Sequence, residues 1–213
     1  MALRAIVRMT VAEEAGDREE AALYHHVGLR LLDTLHPRLL AIGGLSGCGK
    51  STVAQLVAPG LPGPCGARLL RTDVIRKQAE SDTGRDQTTD YSIEARRAVY
   101  QNLAAAAEET LVSGDSAIAD ATFADSLARD QFSAAFAERF TGAWLRASQS
   151  TRLARISARR DDDSDATAAV VLGQIEPVDL GPGWVIVEAE GPADQVAERV
   201  IAAARGAPPA SAR

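Results

Sequence analysis

Five short apolar runs punctuate the chain, at 39–42, 67–70, 116–119, 143–145 and 184–187. Each is too short for an ordinary helix and is predominantly apolar, the pattern of a buried parallel strand. In the stretches 92–111, 126–136 and 151–159 apolar residues return every three or four positions, which predicts helices between those strands. Strands alternating with helices predict an α/β domain built on one parallel sheet covered on both faces. Ahead of the first strand, Leu23, Val27, Leu31 and Leu35 recur at four-residue steps and predict a charged helix stopped by Pro37. The expected organisation is therefore a helical extension over 1–37, the sheet domain over 38–204, and a tail over 205–213 with nothing to bury and no expected order.

Composition narrows the class. A chain of 213 residues suffices for one well-cored α/β domain and leaves little room for a second. No stretch approaches the roughly 18 apolar residues of a membrane span, and the first residues lack the apolar run of a secretory signal. The expected location is the cytoplasm, with no membrane partner. Cys48 and Cys65 have no metal-ligand spacing and are expected to be reduced thiols. A formal charge of −6 and an aromatic content of 4% argue against a surface that grips a nucleic acid through phosphates and stacked bases. Lys50 and Lys77 are the only lysines, arginine serving everywhere else. A chain that writes arginine so consistently keeps lysine where a compact ammonium is needed.

Lys50 lies in Gly44-Leu45-Ser46-Gly47-Cys48-Gly49-Lys50-Ser51, a full match to G-x-x-x-x-G-K-[ST] between a predicted strand and a predicted helix. Glycines let successive backbone N–H groups turn inward, and the helix that follows aims its positive end at the same point, so the main chain cradles phosphate. The motif predicts ATP binding by residues 44–52, Gly44 to Thr52, with Lys50 on the β- and γ-phosphates and the Ser51 hydroxyl on Mg²⁺.

The acceptor side rests on other residues. Asp73 stands just beyond the carboxyl end of the second predicted strand, where open α/β sheets bind ligands. Arg76 follows one helical turn later, so that a carboxylate able to take a hydroxyl proton and a guanidinium able to hold an anion can face one site. The same position also suits an aspartate that caps the next helix. Asp120 ends the third predicted strand, at the place of a second acid that assists Mg²⁺ or binds substrate. Arg152, Arg155 and Arg159 share one helical face, with Arg160 and the polar run 161–165 behind them. Such a helix and loop can close over ATP, and Arg155 and Arg159 are the preferred phosphoryl-stabilising pair. The polar stretch 78–92 is expected to line the acceptor pocket, and residues 190–192 to border the adenine.

In order, Gly-Leu-Ser-Gly-x-Gly-Lys-Ser, Arg-Thr-Asp-Val-Ile-Arg-Lys, Asp-Ala-Thr-Phe, and the Arg155 to Arg160 segment with Ser164-Asp165-Ala166 resemble a bacterial family of P-loop kinases. That family is similar to gluconate kinases, zeta toxins and polynucleotide 5'-kinases, and is often fused behind an aminoglycoside phosphotransferase-like domain. The resemblance spans about residues 38–200 and implies a three-layer P-loop NTPase fold, NMP-kinase-like, with a five-stranded parallel sheet and an arginine lid. It further implies an Asp73 base partnered by Arg76. Residues 1–37 resemble the closing helices of the phosphotransferase-like domain, which makes such a domain an expected partner. Cys48 departs from the family's commoner serine; at a helix N-terminus its thiol is expected to have a lowered pKa. The activity expected is an ATP-dependent kinase acting on a hydroxyl of a small molecule, using Lys50, Asp73, Arg76, Arg155 and Arg159. A polynucleotide 5'-hydroxyl kinase and an ATP-binding regulatory module are the alternatives.

Overall fold

The computed structural model describes residues 2–32, 36–63, 66–83, 93–158 and 168–206. Its centre is a five-stranded, all-parallel sheet of order β2-β3-β1-β4-β5, with β1 Leu39–Gly44, β2 Ala67–Arg71, β3 Ser116–Asp120, β4 Phe140–Arg146 and β5 Trp184–Glu188. All five runs expected to be strands are strands, each a residue or more longer than the apolar run alone. The central strand β1 is buried along its whole length, as an uninterrupted apolar run requires. Trp144 and Leu145 are neighbours on β4 and point to opposite faces of the sheet, yet both are buried, so helices and loops cover both sides.

The connections follow the expected periodicity. After β1 comes α3 Lys50–Val57; α4 Thr72–Thr83 follows β2, and α5 Ile93–Val112 leads into β3. Next come α6 Ser126–Phe136 and α7 Gln149–Ser157, the former capped by Asp125 accepting from the Leu127 amide, the latter by Ser148 accepting from the Thr151 amide. The short helix α8 Ala168–Gly173 and the final α9 Ala193–Gly206 were not read from the sequence. α9 carries Val196, Ala197 and Val200 into the core against α3 and extends through Arg205, so the first residues assigned to a tail are helical. Residues 207–213 lie outside the described residues.

The amino-terminal segment differs from its expectation. It forms two helices, α1 Ala2–Glu14 and α2 Arg18–Leu32, packed against each other, because Gly16 adopts φ 77° and Asp17 accepts from the Glu20 amide at 3.0 Å to start a second helix. Leu23 and Val27 of the four-step stripe are 59% and 37% exposed, while Ala5, Ala12 and Ala21 are buried and Gly28 faces Ala5 and Ile6; the side chains of Leu31 and Leu35 lie outside the described residues. Among the described residues no helix is long and apolar enough to cross a membrane.

Candidate active site

The register of the sheet places the site. Ile42 of β1 is level with Asp120 of β3, and Asp120 is level with Arg71 of β2, so the carboxyl ends of three adjacent strands open at one point. From the end of β1 the chain turns through Leu45 to Gly49 and enters α3 at Lys50, whose amino-terminal end faces this opening. Three glycines make the turn possible by adopting left-handed φ values: Gly44 at 142°, Gly47 at 85° and Gly49 at 89°. At Gly47 a side chain is excluded twice over, because a Cβ there would also lie 2.6 Å from the carbonyl oxygen of Arg152.

The opening is a polar pocket of about 90 Å³ lined by Ser46, Gly47, Gly49, Lys50, Ser51, Thr72, Asp73, Asp120, Ala121 and Thr122. It gathers the loop, both expected acids and the end of the third strand. Lys50 donates to the carbonyl of Leu45 at 3.2 Å. The Ser51 hydroxyl donates to Asp120 Oδ2 at 2.6 Å, and Arg71 Nε lies 3.5 Å from the same oxygen. Burial pushes the Asp120 carboxyl above its ordinary range; the Ser51 hydroxyl and the charges of Lys50 and Arg71 pull the other way, while Asp73 adds to the rise. Ser51 and Asp120 supply the hard oxygen donors that Mg²⁺ takes together with phosphate oxygens and water, so the residues present fit that ion. Among the described residues no group of three or more His, Cys, Asp or Glu gathers around one point.

Asp73 lies in the first turn of α4 and lines this pocket. Arg76 follows on α4, half-buried, and is not among the residues that line it. Arg155 lies elsewhere: its guanidinium donates to the carbonyls of Cys48, Ala189 and Gly191 at 3.1, 2.9 and 3.0 Å. It forms one wall of a second, less polar cleft of about 300 Å³ behind the loop, lined also by Cys48, Gly49, Thr52, Val53 and Gly191. The structure thus does not bring Arg155 to the phosphate pocket. Of the stretch 190–192 expected at the adenine, Gly191 lines this cleft, whereas Glu190 turns to the Ser148 amide and the Thr151 hydroxyl. Arg159, Arg160 and the polar run 161–165 lie outside the described residues, as does 84–92 of the expected acceptor segment.

Cys48 corrects one expectation. Its side chain is buried among core residues, and this desolvation raises the thiol pKa despite the nearby charges of Lys50 and Arg152. A helix N-terminus activates a thiol only where the thiolate keeps some contact with water.

Two supporting residues, Gln174 and Arg129, carry no sequence signal, and their contacts draw in Arg152 and Phe123. Gln174 reaches the loop from beyond α8, its Oε1 accepting from the Ser46 amide at 2.9 Å and its Nε2 donating to Ser46 Oγ at 3.0 Å. Arg152, buried, donates to the same Gln174 oxygen at 3.3 Å. Arg129 is buried and donates to the carbonyls of Phe123, Ala124, Asp179 and Leu180, tying the segment after Asp120 to the segment before β5. Phe123 sits at φ 48°, a conformation held by the Tyr100 hydroxyl accepting from its amide at 2.9 Å. The Gln174–Ser46 pair spans 128 residues and the Arg129 contacts with Asp179 and Leu180 span 50 and 51, separations that a linear reading does not connect.

Solved structures share the fold. The chain is similar to a sugar kinase from Janibacter sp. HTCC2649, at 19% identity and TM-score 0.63 over 83% of this chain and 99% of that one. It is similar to the Mycobacterium tuberculosis APS kinase CysC, solved with AMPPNP and APS, at 19% identity and TM-score 0.58 over 81% and 99%. It is also similar to a gluconokinase from Sinorhizobium meliloti 1021, at 18% identity and TM-score 0.57 over 80% and 93%. No curated protein matches the chain in sequence. At these identities the likeness establishes the fold, that of the P-loop NTPase kinases. Residues 39–179 match the model of a family described as an AAA domain, and the chain belongs to that family.

Proposed function

We propose that this protein is an ATP-dependent kinase that transfers the γ-phosphoryl group to a hydroxyl of a small-molecule acceptor. The observation that carries this reading is a single pocket in which the phosphate loop, Lys50, Ser51, Asp120 and Asp73 converge at the carboxyl ends of the strands. In this reading the nucleotide base enters the cleft beside Arg155, Thr52 and Gly191, and the phosphates pass over residues 44–52 into the polar pocket. The Lys50 ammonium leaves the Leu45 carbonyl and neutralises charge on the β- and γ-phosphates. Ser51 and Asp120 would hold Mg²⁺ together with phosphate oxygens, and the ion would supply electrostatic stabilisation of the leaving oxygen. Asp73 accepts the proton of the attacking hydroxyl, and Arg76 and Arg159 complete the charge stabilisation from α4 and from beyond α7.

The similar structures support this reading, since two of them are a gluconokinase and a sugar kinase. A cytoplasmic location, and attachment through residues 1–37 to a phosphotransferase-like domain, belong to the same reading. The test uses labelled ATP, Mg²⁺ and a panel of sugars, sugar acids, aminoglycosides and nucleosides. Asp73→Asn is expected to keep Mg·ATP affinity within a few-fold while lowering transfer about a hundredfold or more, the loss typical of a removed general base. Undiminished transfer by this variant would reduce Asp73 to a helix-end residue.

A further inference from the structure

Gln174 stands out because both ends of its carboxamide engage one residue of the phosphate loop, Ser46. Its oxygen faces two N–H donors, the Ser46 amide and the Arg152 guanidinium, and its nitrogen faces Ser46 Oγ. This orientation is chemically fixed: the flipped amide would set its NH₂ group against two other donors. Because Gln174 Nε2 donates to Ser46 Oγ, that hydroxyl acts as an acceptor on the Gln174 side and keeps its own proton to give elsewhere. Ser46 lines the phosphate pocket, in a loop pinned from behind by the approach of Gly47 to the backbone of Arg152.

We propose that Gln174 is a positioning residue that sets the Ser46 hydroxyl as a proton-donating partner of the transferring phosphoryl group. The assignment rests on the phosphotransferase reading and adds to it a donor that the motif itself does not specify, since its third position accepts any residue. Charge develops on the phosphoryl oxygens as the bond to the leaving oxygen stretches, and a preset O–H donor stabilises that state without reorganising. Arg152 fixes the Gln174 oxygen and so acts one step further back.

Gln174→Glu makes the idea testable because it changes direction without changing shape. The carboxylate still accepts from the Ser46 amide and from Arg152, so the loop keeps its anchor, but it now also accepts from Ser46 Oγ and draws the hydroxyl proton away from the pocket. Single-turnover release of inorganic phosphate from Mg·ATP, with water as acceptor, is measured beside calorimetric Mg·ATP affinity for wild type, Gln174→Glu, Ser46→Ala and the double variant. Each single variant is expected to slow release about tenfold or more, with affinity changed no more than a few-fold, and the double variant to be no slower than Ser46→Ala. Gln174→Glu at the wild-type rate overturns the proposal. So does a double variant slowed by the product of the two single effects, since the added negative charge would then act without the hydroxyl. A wild type that binds Mg·ATP yet releases no phosphate and phosphorylates no acceptor counts against the phosphotransferase reading itself, whereas an active wild type with unaffected variants removes only the role of this pair.

Discussion

The phosphate loop and the amino-terminal hairpin both use small residues at close approaches, and they use them to opposite ends. In the loop, Gly44 and Gly47 take left-handed φ values and lie against the backbones of Leu145 and Arg152, so that large neighbours are drawn in around a fixed peptide cradle. In the hairpin, Ala5, Ala12, Ala21 and Gly28 let two helices meet, and the large apolar residues Val7, Val11, Leu23 and Leu29 are left exposed. A small residue in the first region is a geometric requirement imposed from several directions. In the second it serves a two-helix seam, and most of the apolar surface contributes little to holding the sheet domain together.

Breaking the loop should have the largest effect. Gly47→Ala introduces both a clash with the Arg152 carbonyl and a left-handed alanine, and the loop can relieve them only by opening. Mg·ATP affinity measured by calorimetry is expected to fall at least about a hundredfold, with far-ultraviolet circular dichroism unchanged. Next comes Arg129→Ala, which leaves the carbonyls of Phe123, Ala124, Asp179 and Leu180 without their shared donor. Urea unfolding should show a loss of about 3 kcal/mol or more, since several buried acceptors lose a charged partner together. Smallest are changes on the hairpin's outer face. Val7→Ser and Leu23→Ser, 53% and 59% exposed, should each shift stability by less than about 0.5 kcal/mol and leave nucleotide affinity alone. A large loss from either serine variant would mean that this face is covered, and the contrast between the two regions would disappear.

What the sequence made legible followed from local physics. The loop, its flanking strand and the acids at strand ends are written in contiguous residues, because a tight anion-binding turn must be built from neighbours. The break at Gly16-Asp17 is also written there, as a glycine beside a capping aspartate, ahead of the four-step stripe that starts at Leu23. α9 was equally within reach, since Val196, Ala197 and Val200 follow helical spacing. Other features needed the folded chain. Helical periodicity correctly grouped Arg152 and Arg155 on α7 but could not tell which opening each would reach; Arg155 turned to the carbonyls of Cys48, Ala189 and Gly191. The Cys48 thiol illustrates the same limit, because position in sequence announces a helix end whereas burial, a tertiary property, sets the direction of the pKa. Gln174 had no motif at all, its partner Ser46 lying 128 residues away.

The central claim is that residues 44–52 form an anion cradle completed by the Lys50 ammonium. Titrating Mg·ATP into wild type and Lys50→Ala in a calorimeter tests it most directly. Saturable one-to-one binding by the wild type, weakened about tenfold or more in Lys50→Ala, is the predicted result. Equal binding by the two proteins, or no heat and no competition by any nucleotide with the wild type, would contradict it.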